Sequence, residues 1–287
     1  MEAEEEMGSV PLMVNVTDAD ILIIGGGAAC VRRANALSEQ GARVWQIAGS
    51  AADAVGQLSS PVVPTSDHGL PVRRLVLSEW SPELFFQMNP LKDALKPDHM
   101  PHATVDDKTI CATEQLNRYA HFLLPWKMNV DHLSLIDVSW WRQFLFVIPM
   151  GDVSSLNIAV ANIARESGIL VNVATRETQS EFQGAGSIEF MAAVRRDPLT
   201  VGIYSGGVPT VSQVIKRRVT AALPETWAEA IAWLRSRRKD LTDFSLSEKE
   251  RKLIMARLTQ LIETADGDLR EAQAYWRDID KERGKTV

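Results

Sequence analysis

The stretch Ala19–Arg33, ADILIIGGGAACVRR, decides how the rest of the chain is read. Ile21–Ile24 is a short, β-branched apolar run, the pattern of a parallel strand buried on both faces. Gly25, Gly26 and Gly27 follow at once, and Ala28–Ser38 then has a helix-compatible composition. Strand, glycine turn and helix in this order make a dinucleotide site. Gly25 permits the tight turn and Gly27 lets the backbone approach a pyrophosphate. The first N–H groups of the helix, around Ala28 and Ala29, are offered to that anion. Cys30 takes the third small position of the motif and suits close helix–strand packing.

Outward from this motif the pattern alternates. Ala42–Ala48 reads as a second strand, and its end carries no acid before Asp53 to bind ribose hydroxyls, so backbone or Ser50 serves instead. Val72–Leu77 reads as a third strand, and Ser81-Pro82-Glu83 as a helix start. From about Gln87 to Ser139 the pattern loosens, with one helix expected over Ala112–Leu124. Phe144–Pro149 is a buried strand, Ser155–Ser167 a helix with Leu156, Ala159, Val160 and Ile163 on one face, and Gly168 its stop. Ile169–Ala174 and Thr200–Tyr204 read as further strands of the same parallel sheet. From Pro224 onward the chain is amphipathic helix, with Trp227, Ile231, Leu234, Leu253, Ile254, Leu258, Leu261 and Ile262 as its apolar stripe.

Composition narrows the function classes. A chain of 287 residues that is 45% hydrophobic and 24% charged buries a real core in two or three units. A net charge of −6 argues against nucleic acid as the main partner. Two cysteines, Cys30 and Cys111, build neither a disulfide framework nor a cysteine-based metal site. No apolar run is long enough to span a bilayer, and the acidic start MEAEEEM is unlike a signal or transit peptide. A cytoplasmic protein is expected.

Pro11-Leu12-Met13, DILIIGGGAACVRRANAL, the run from Leu156 through Val171-Asn172-Val173-Ala174 to Phe182, and VGIYSGG resemble the precorrin-2 dehydrogenase and sirohydrochlorin ferrochelatase family. This family supplies the N-terminal module of siroheme synthases. The resemblance covers most of residues 10–223 apart from the loose segment. It implies an α/β fold, a Rossmann-like parallel sheet followed by a small α+β dimerisation domain and a helical C-terminal domain. The boundaries are then 10–184 (with an insertion about 87–139), 185–223 and 224–287. It also implies a homodimer that oxidises precorrin-2, a tetrapyrrole, to sirohydrochlorin with NAD.

Residue by residue, the resemblance gives Gly25, Gly26 and Gly27, with Ala28 and Ala29, to the NAD pyrophosphate. It puts Asn157 at the opening of the cofactor-side helix, Asn172 in the cleft, and Ser205, Gly206 and Gly207 at the tetrapyrrole site. The family's catalytic aspartate is Thr175 here. A threonine hydroxyl neither acts as a carboxylate base near neutral pH nor gives iron a hard anionic ligand, so oxidation is expected without iron insertion. The family's Ser-Pro after the glycine pair is Val208-Pro209-Thr210, and its proline after Phe182 is Ala185.

The residues themselves allow a further assignment. Gly25–Gly27, Gly151-Asp152, Asn172–Thr175 and Ser205–Gly207 all fall at expected strand ends, so four loops are expected to converge on one sheet edge. Asp152 is the carboxylate expected there, as a base or as a cap of the next helix, and Thr175 a hydrogen-bonding substitute. A polycarboxylate substrate calls for arginine. Arg176 is the favoured contact; Arg217 also lies close to the expected loops, while Lys216 and Arg218 are assigned mainly to a solvated face and Arg32 and Arg33 to phosphate or surface.

All five histidines (His68, His99, His102, His121, His132) fall in or just before the loose segment. The His99/His102 pair reads as polar filler ahead of a metal site. An interaction surface built on Trp126, Trp140 and Trp141 competes with plain core packing. Two other functions remain open: a relative reused for another NAD-linked oxidation, and a non-catalytic tetrapyrrole or nucleotide carrier.

Overall fold

A computed structural model describes residues 10–49, 73–76, 81–87, 104–105, 119–124, 127–173, 187–244 and 246–283. The chain divides into two compact units, 1–189 and 190–287.

The first unit is a Rossmann-like α/β layer structure. Its elements are β1 (Asp20–Ile24), α1 (Gly27–Ser38), β2 (Arg43–Gly49), β3 (Arg73–Val76), α2 (Pro82–Gln87), β4 (Thr104–Val105) and β5 (Tyr119–Leu124). They continue with α3 (Val138–Trp141), β6 (Phe146–Pro149), α4 (Ser154–Glu166) and β7 (Leu170–Val171). The described strands form one sheet in the order β4-β3-β5-β2-β1-β6-β7. All neighbours are parallel except β3 and β4.

After Asp20, β1 is apolar because it is covered on both faces: Ile21, Leu22 and Ile23 are fully buried and Ile24 nearly so. Leu22 and Ile24 belong to a large cluster with Trp45, Ile47, Leu156, Val160 and Ala164. Ile21 and Ile23 alternate to the opposite face. Gly168, at φ +74°, ends α4 as expected of a glycine just past a helix.

Four expectations are corrected here. Tyr119–Leu124, read as the end of a helix, is β5, paired with β2 from Val44↔Tyr119 to Gly49↔Leu124 and with β3 on its other side. Two long-range ladders outweigh local helix preference. The loose segment therefore adds an interior strand to the sheet, and the chain leaves β5 at the same edge as β1 and β6. His121 sits on that strand, and His132 lies in a short 3-10 turn where its Nδ1 accepts from Asn129 N at 3.2 Å. His68, His99 and His102 lie outside the described residues.

Trp140 and Trp141 are core, not surface. They are 5% and 0% exposed, and Trp140 packs edge-to-face on Phe86, Trp141 and Phe144 at centroid separations of 5.1–5.8 Å. Trp126 lies outside the described residues.

The second unit starts with an antiparallel hairpin, β8 (Ala192–Arg196) and β9 (Leu199–Ile203), turning at Asp197-Pro198. The strand read over Thr200–Tyr204 is β9, so it pairs in its own two-stranded sheet and not in the parallel one. α5 (Pro209–Ala222) follows, then α6 (Thr226–Asp243), α7 (Glu248–Thr264) and α8 (Arg270–Arg283). These last three helices enclose a core of Ala230, Leu241, Ile254, Leu258, Ile262, Ala272 and Trp276. Of the expected stripe, Leu253 fails: it is 73% exposed, because it is one position off the inward line set by Ile254, Leu258 and Ile262. Arg237 lies between Trp233 and Trp276, its guanidinium carbon 5.6 and 5.0 Å from the ring centres.

Candidate functional site

β1 sits where strand order reverses, with β2 on one side and β6 on the other, the place where an open parallel sheet leaves a crevice beyond its strand ends. The turn leaving β1 is fixed by its neighbours. Gly25 N donates to Ile47 O at 2.9 Å, and Gly25 O accepts from Gln46 Nε2 at 2.9 Å. Gly25 has φ +144°, and a Cβ there would lie 2.6 Å from Met150 O and 2.7 Å from Met150 C. The glycine is thus demanded by the exit of β6 as well as by the turn.

Gly27 (φ +83°) is different: no atom of the described residues lies within 4 Å of the place its Cβ would take. Gly26 is the N-cap of α1, with no side-chain cap and no acid in the first turn. Gly26, Gly27, Ala28 and Ala29 are all exposed. The first N–H groups of a helix have no intrahelical partner, and this end carries the positive pole of the helix dipole. An open glycine rim over such an end fits an anion, and a dinucleotide pyrophosphate in particular.

The exit of β6 forms the adjoining wall. Met150 N donates to Ile24 O at 2.8 Å. Asn157 is 1% exposed and grips the Gly151 peptide from both ends, Oδ1 accepting from Gly151 N at 3.0 Å and Nδ2 donating to Gly151 O at 2.8 Å. Its side chain therefore holds the loop instead of projecting from it. Asp152 is exposed at the tip and does not cap the next helix, whose N-cap is Val153 without a side-chain bond.

Below the turn, Cys30 is 1% exposed with its Sγ 4.0 Å from Met150 O. Burial, and then the Asp152 charge, pushes its thiol up to about 11. Cys30 is a neutral packing group, as the small third position of the motif requires.

Asn172 is buried after β7. Its N–H donates to Val147 O at 3.0 Å and its Nδ2 to Ile188 O at 2.7 Å, tying the returning chain to the sheet edge. Thr175 and Arg176 lie outside the described residues. Ser205, Gly206 and Gly207 form the turn between β9 and α5 in the second unit. The Ser205 Oγ donates to Val208 O at 2.7 Å and shares a hydrogen bond with Ser212, while both glycines have positive φ (+57° and +76°). Because β9 is not a strand of the parallel sheet, the sheet itself brings three of the four expected loops to its edge, not four.

Arg32 is exposed, and Arg33 is half-buried with burial lowering its pKa. On α5, Lys216 is half-buried and Arg217 and Arg218 are exposed. Gln46, which the sequence reading passed over, belongs to the site. Its only signal was a carboxamide inside the apolar run VWQIA. Among the described residues there is no group of three or more potential metal ligands.

Comparison with known proteins agrees with this geometry. No curated protein matches the sequence. A solved structure, "SirC, precorrin-2 dehydrogenase", is similar over 95% of this chain and 100% of that chain, at a TM-score of 0.51 and 14% identity, a likeness of fold. The model of a family described as "Putative NAD(P)-binding" matches residues 12–184, which include the whole glycine turn, the β6 exit and β7. On that match the chain belongs to this NAD(P)-binding family.

Proposed function

We propose that the protein is a precorrin-2 dehydrogenase-like oxidoreductase of siroheme and tetrapyrrole biosynthesis, converting precorrin-2 to sirohydrochlorin with NAD and without iron insertion. The observation that carries the reading is the start of α1 at Gly26–Ala29, exposed, without a side-chain cap and beside the β6 exit. The SirC-like course of the chain supports the substrate class.

Gly25, Gly26, Gly27, Ala28 and Ala29 would hold the pyrophosphate, and Asn157 would act through the Gly151 loop. When bound, NAD supplies a hydride acceptor. The chain has to orient the substrate and take up the proton that leaves with the hydride. Asp152, exposed beside the turn, is the proposed proton acceptor, with Thr175 as a hydrogen-bonding partner. Arg176 is the proposed substrate contact in the first unit, and Ser205, Gly206 and Gly207 are those proposed in the second. Asn172 acts by holding the edge, since its amide is spent on Ile188.

The proposed assembly is a homodimer in the cytoplasm. Its support is α5, which buries none of its residues and exposes Val211, Val214 and Ile215. Among the described residues no helix is long and apolar enough to cross a membrane.

Anaerobic incubation of precorrin-2, NAD and protein should give sirohydrochlorin absorption together with NADH. No spectral change at saturating protein rejects the activity. Binding of both ligands without turnover would favour the carrier reading, to which the loss of the family aspartate at Thr175 lends weight.

A further inference from the structure

Two buried carboxamides face the two halves of this site from below. Gln46 is fully buried in the middle of β2, where an apolar side chain would cost less, and it spans to the next loop to donate to Gly25 O. Asn157, on the first turns of α4, closes on both ends of the Gly151 peptide. Between them the loops touch: Gly25 has no room for a Cβ because Met150 C=O occupies it, and Met150 N is bonded to Ile24 O. The inner side of the rim is thereby fixed at Gly25 O, Met150 N and both polar atoms of Gly151. The N–H groups of the first helical turn remain on the outer side.

We infer that Gln46 and Asn157 are positioning residues that lock the β1 and β6 exits into one rigid ledge, so that the pyrophosphate of a nicotinamide nucleotide meets its N–H groups already in place. The inference rests on the reading that such a nucleotide binds at this edge. A buried hydrogen bond that sets a binding group's position acts on affinity as well as stability, because a loosened ledge must be ordered again at each binding event. The two residues also act on the same structure, so their effects are coupled.

The test uses the full chain with Gln46→Met and Asn157→Leu, which keep bulk and add no charge, alone and together. Val160→Ala, a buried α4 change away from the rim, serves as a control of similar destabilisation. Affinities for NADH, ADP and adenosine are measured by titration well below each variant's Tm. Each single change at the ledge should weaken NADH and ADP about tenfold, equivalent to about 1.4 kcal/mol. Adenosine, which has no pyrophosphate, should stay within about twofold, and Val160→Ala should leave all three affinities unchanged. The double variant should lose clearly less than the product of the singles, about 10- to 30-fold in place of about 100-fold.

Equal losses for adenosine and ADP, or unchanged affinities, overturn the positioning role. Losses that multiply overturn the single ledge. If the unaltered protein binds neither NADH nor ADP, the nucleotide reading itself falls, and the inference with it.

Discussion

Replacing Gly25 and Gly27 in turn by alanine separates a glycine demanded by the fold from one kept clear for a ligand. At Gly25 the backbone is at φ +144°, outside the basins of an L side chain, a cost of about 1–3 kcal/mol. The added Cβ also falls 2.6 Å from Met150 O and 2.7 Å from Met150 C, backbone atoms that cannot rotate away. Moving them strains the Gly151 peptide held by Asn157, adding about 1–3 kcal/mol of overpacking. The sum, about 2–6 kcal/mol, lowers Tm by about 4–24 °C for a unit of this size.

At Gly27 the angle is +83° and no described residue lies within 4 Å, so only about 1–2 kcal/mol of backbone strain applies. The methyl there stands where an anion would approach. Thermal melts with and without NADH read both effects. Gly25→Ala should show the larger fall in Tm, and Gly27→Ala the larger loss of ligand-induced stabilisation. Equal falls in Tm, or a Gly25→Ala variant as stable as the parent, would refute the close approach of the two loops.

Three further outcomes follow from the same geometry. The Cys30 thiol loses its proton near 9.0 when unfolded and at about 11 when folded, so unfolding releases a proton between those values. Stability contributed by this group is then complete below pH 9 and is lost as pH rises through 11, by up to about 2–3 kcal/mol, and urea titrations should show that loss shrink in Cys30→Ala. Asp20 accepts from Arg43 Nε and Nη2 at 2.8 and 2.7 Å and from the buried Trp45 Nε1 at 2.9 Å, so Asp20→Ala should cost about 2–3 kcal/mol in denaturant titration and Asp20→Asn less. In the helical C-terminal part, Leu253→Lys should leave Tm nearly unchanged, within about 0.5 kcal/mol, whereas Leu258→Ala should cost about 2–5 kcal/mol.

The nucleotide edge was legible because its signals are local. A β-branched run, three glycines and a helix-compatible segment each report their own backbone, and β1, the turn and α1 lie within a residue of where those signals put them. β5 was not legible. YAHFLL has no two-residue alternation, and its strand state comes from ladders to β2 and β3, both far away in the chain. The misplacement of β9 has the same origin: an apolar TVGI run marks a strand but not its partner. The Asp197-Pro198 turn signal, with Ala192–Arg196 before it, would have revealed the hairpin.

Within the site, the rim glycines and Asp152 were readable as residue types at strand ends. The side-chain directions of Asn157 and Asn172 were not, since a carboxamide looks the same in sequence whether it faces a ligand or clasps a peptide. Gln46 was invisible for the complementary reason. The carbonyl it reaches is not written in its own stretch of sequence.

The seating of β5 between β2 and β3 has a consequence for how this protein is made. Ribosomes deliver β2 and β3 well before Tyr119–Leu124, so one flank of β2 stays an open template until that late strand slots in. A transcript cut or a stalled chain ending short of Leu124 would yield not a smaller version of the domain but a sticky half-sheet. Truncations of the chain for expression therefore belong beyond β7, and co-translational chaperone capture is most valuable during the interval before β5 is synthesised.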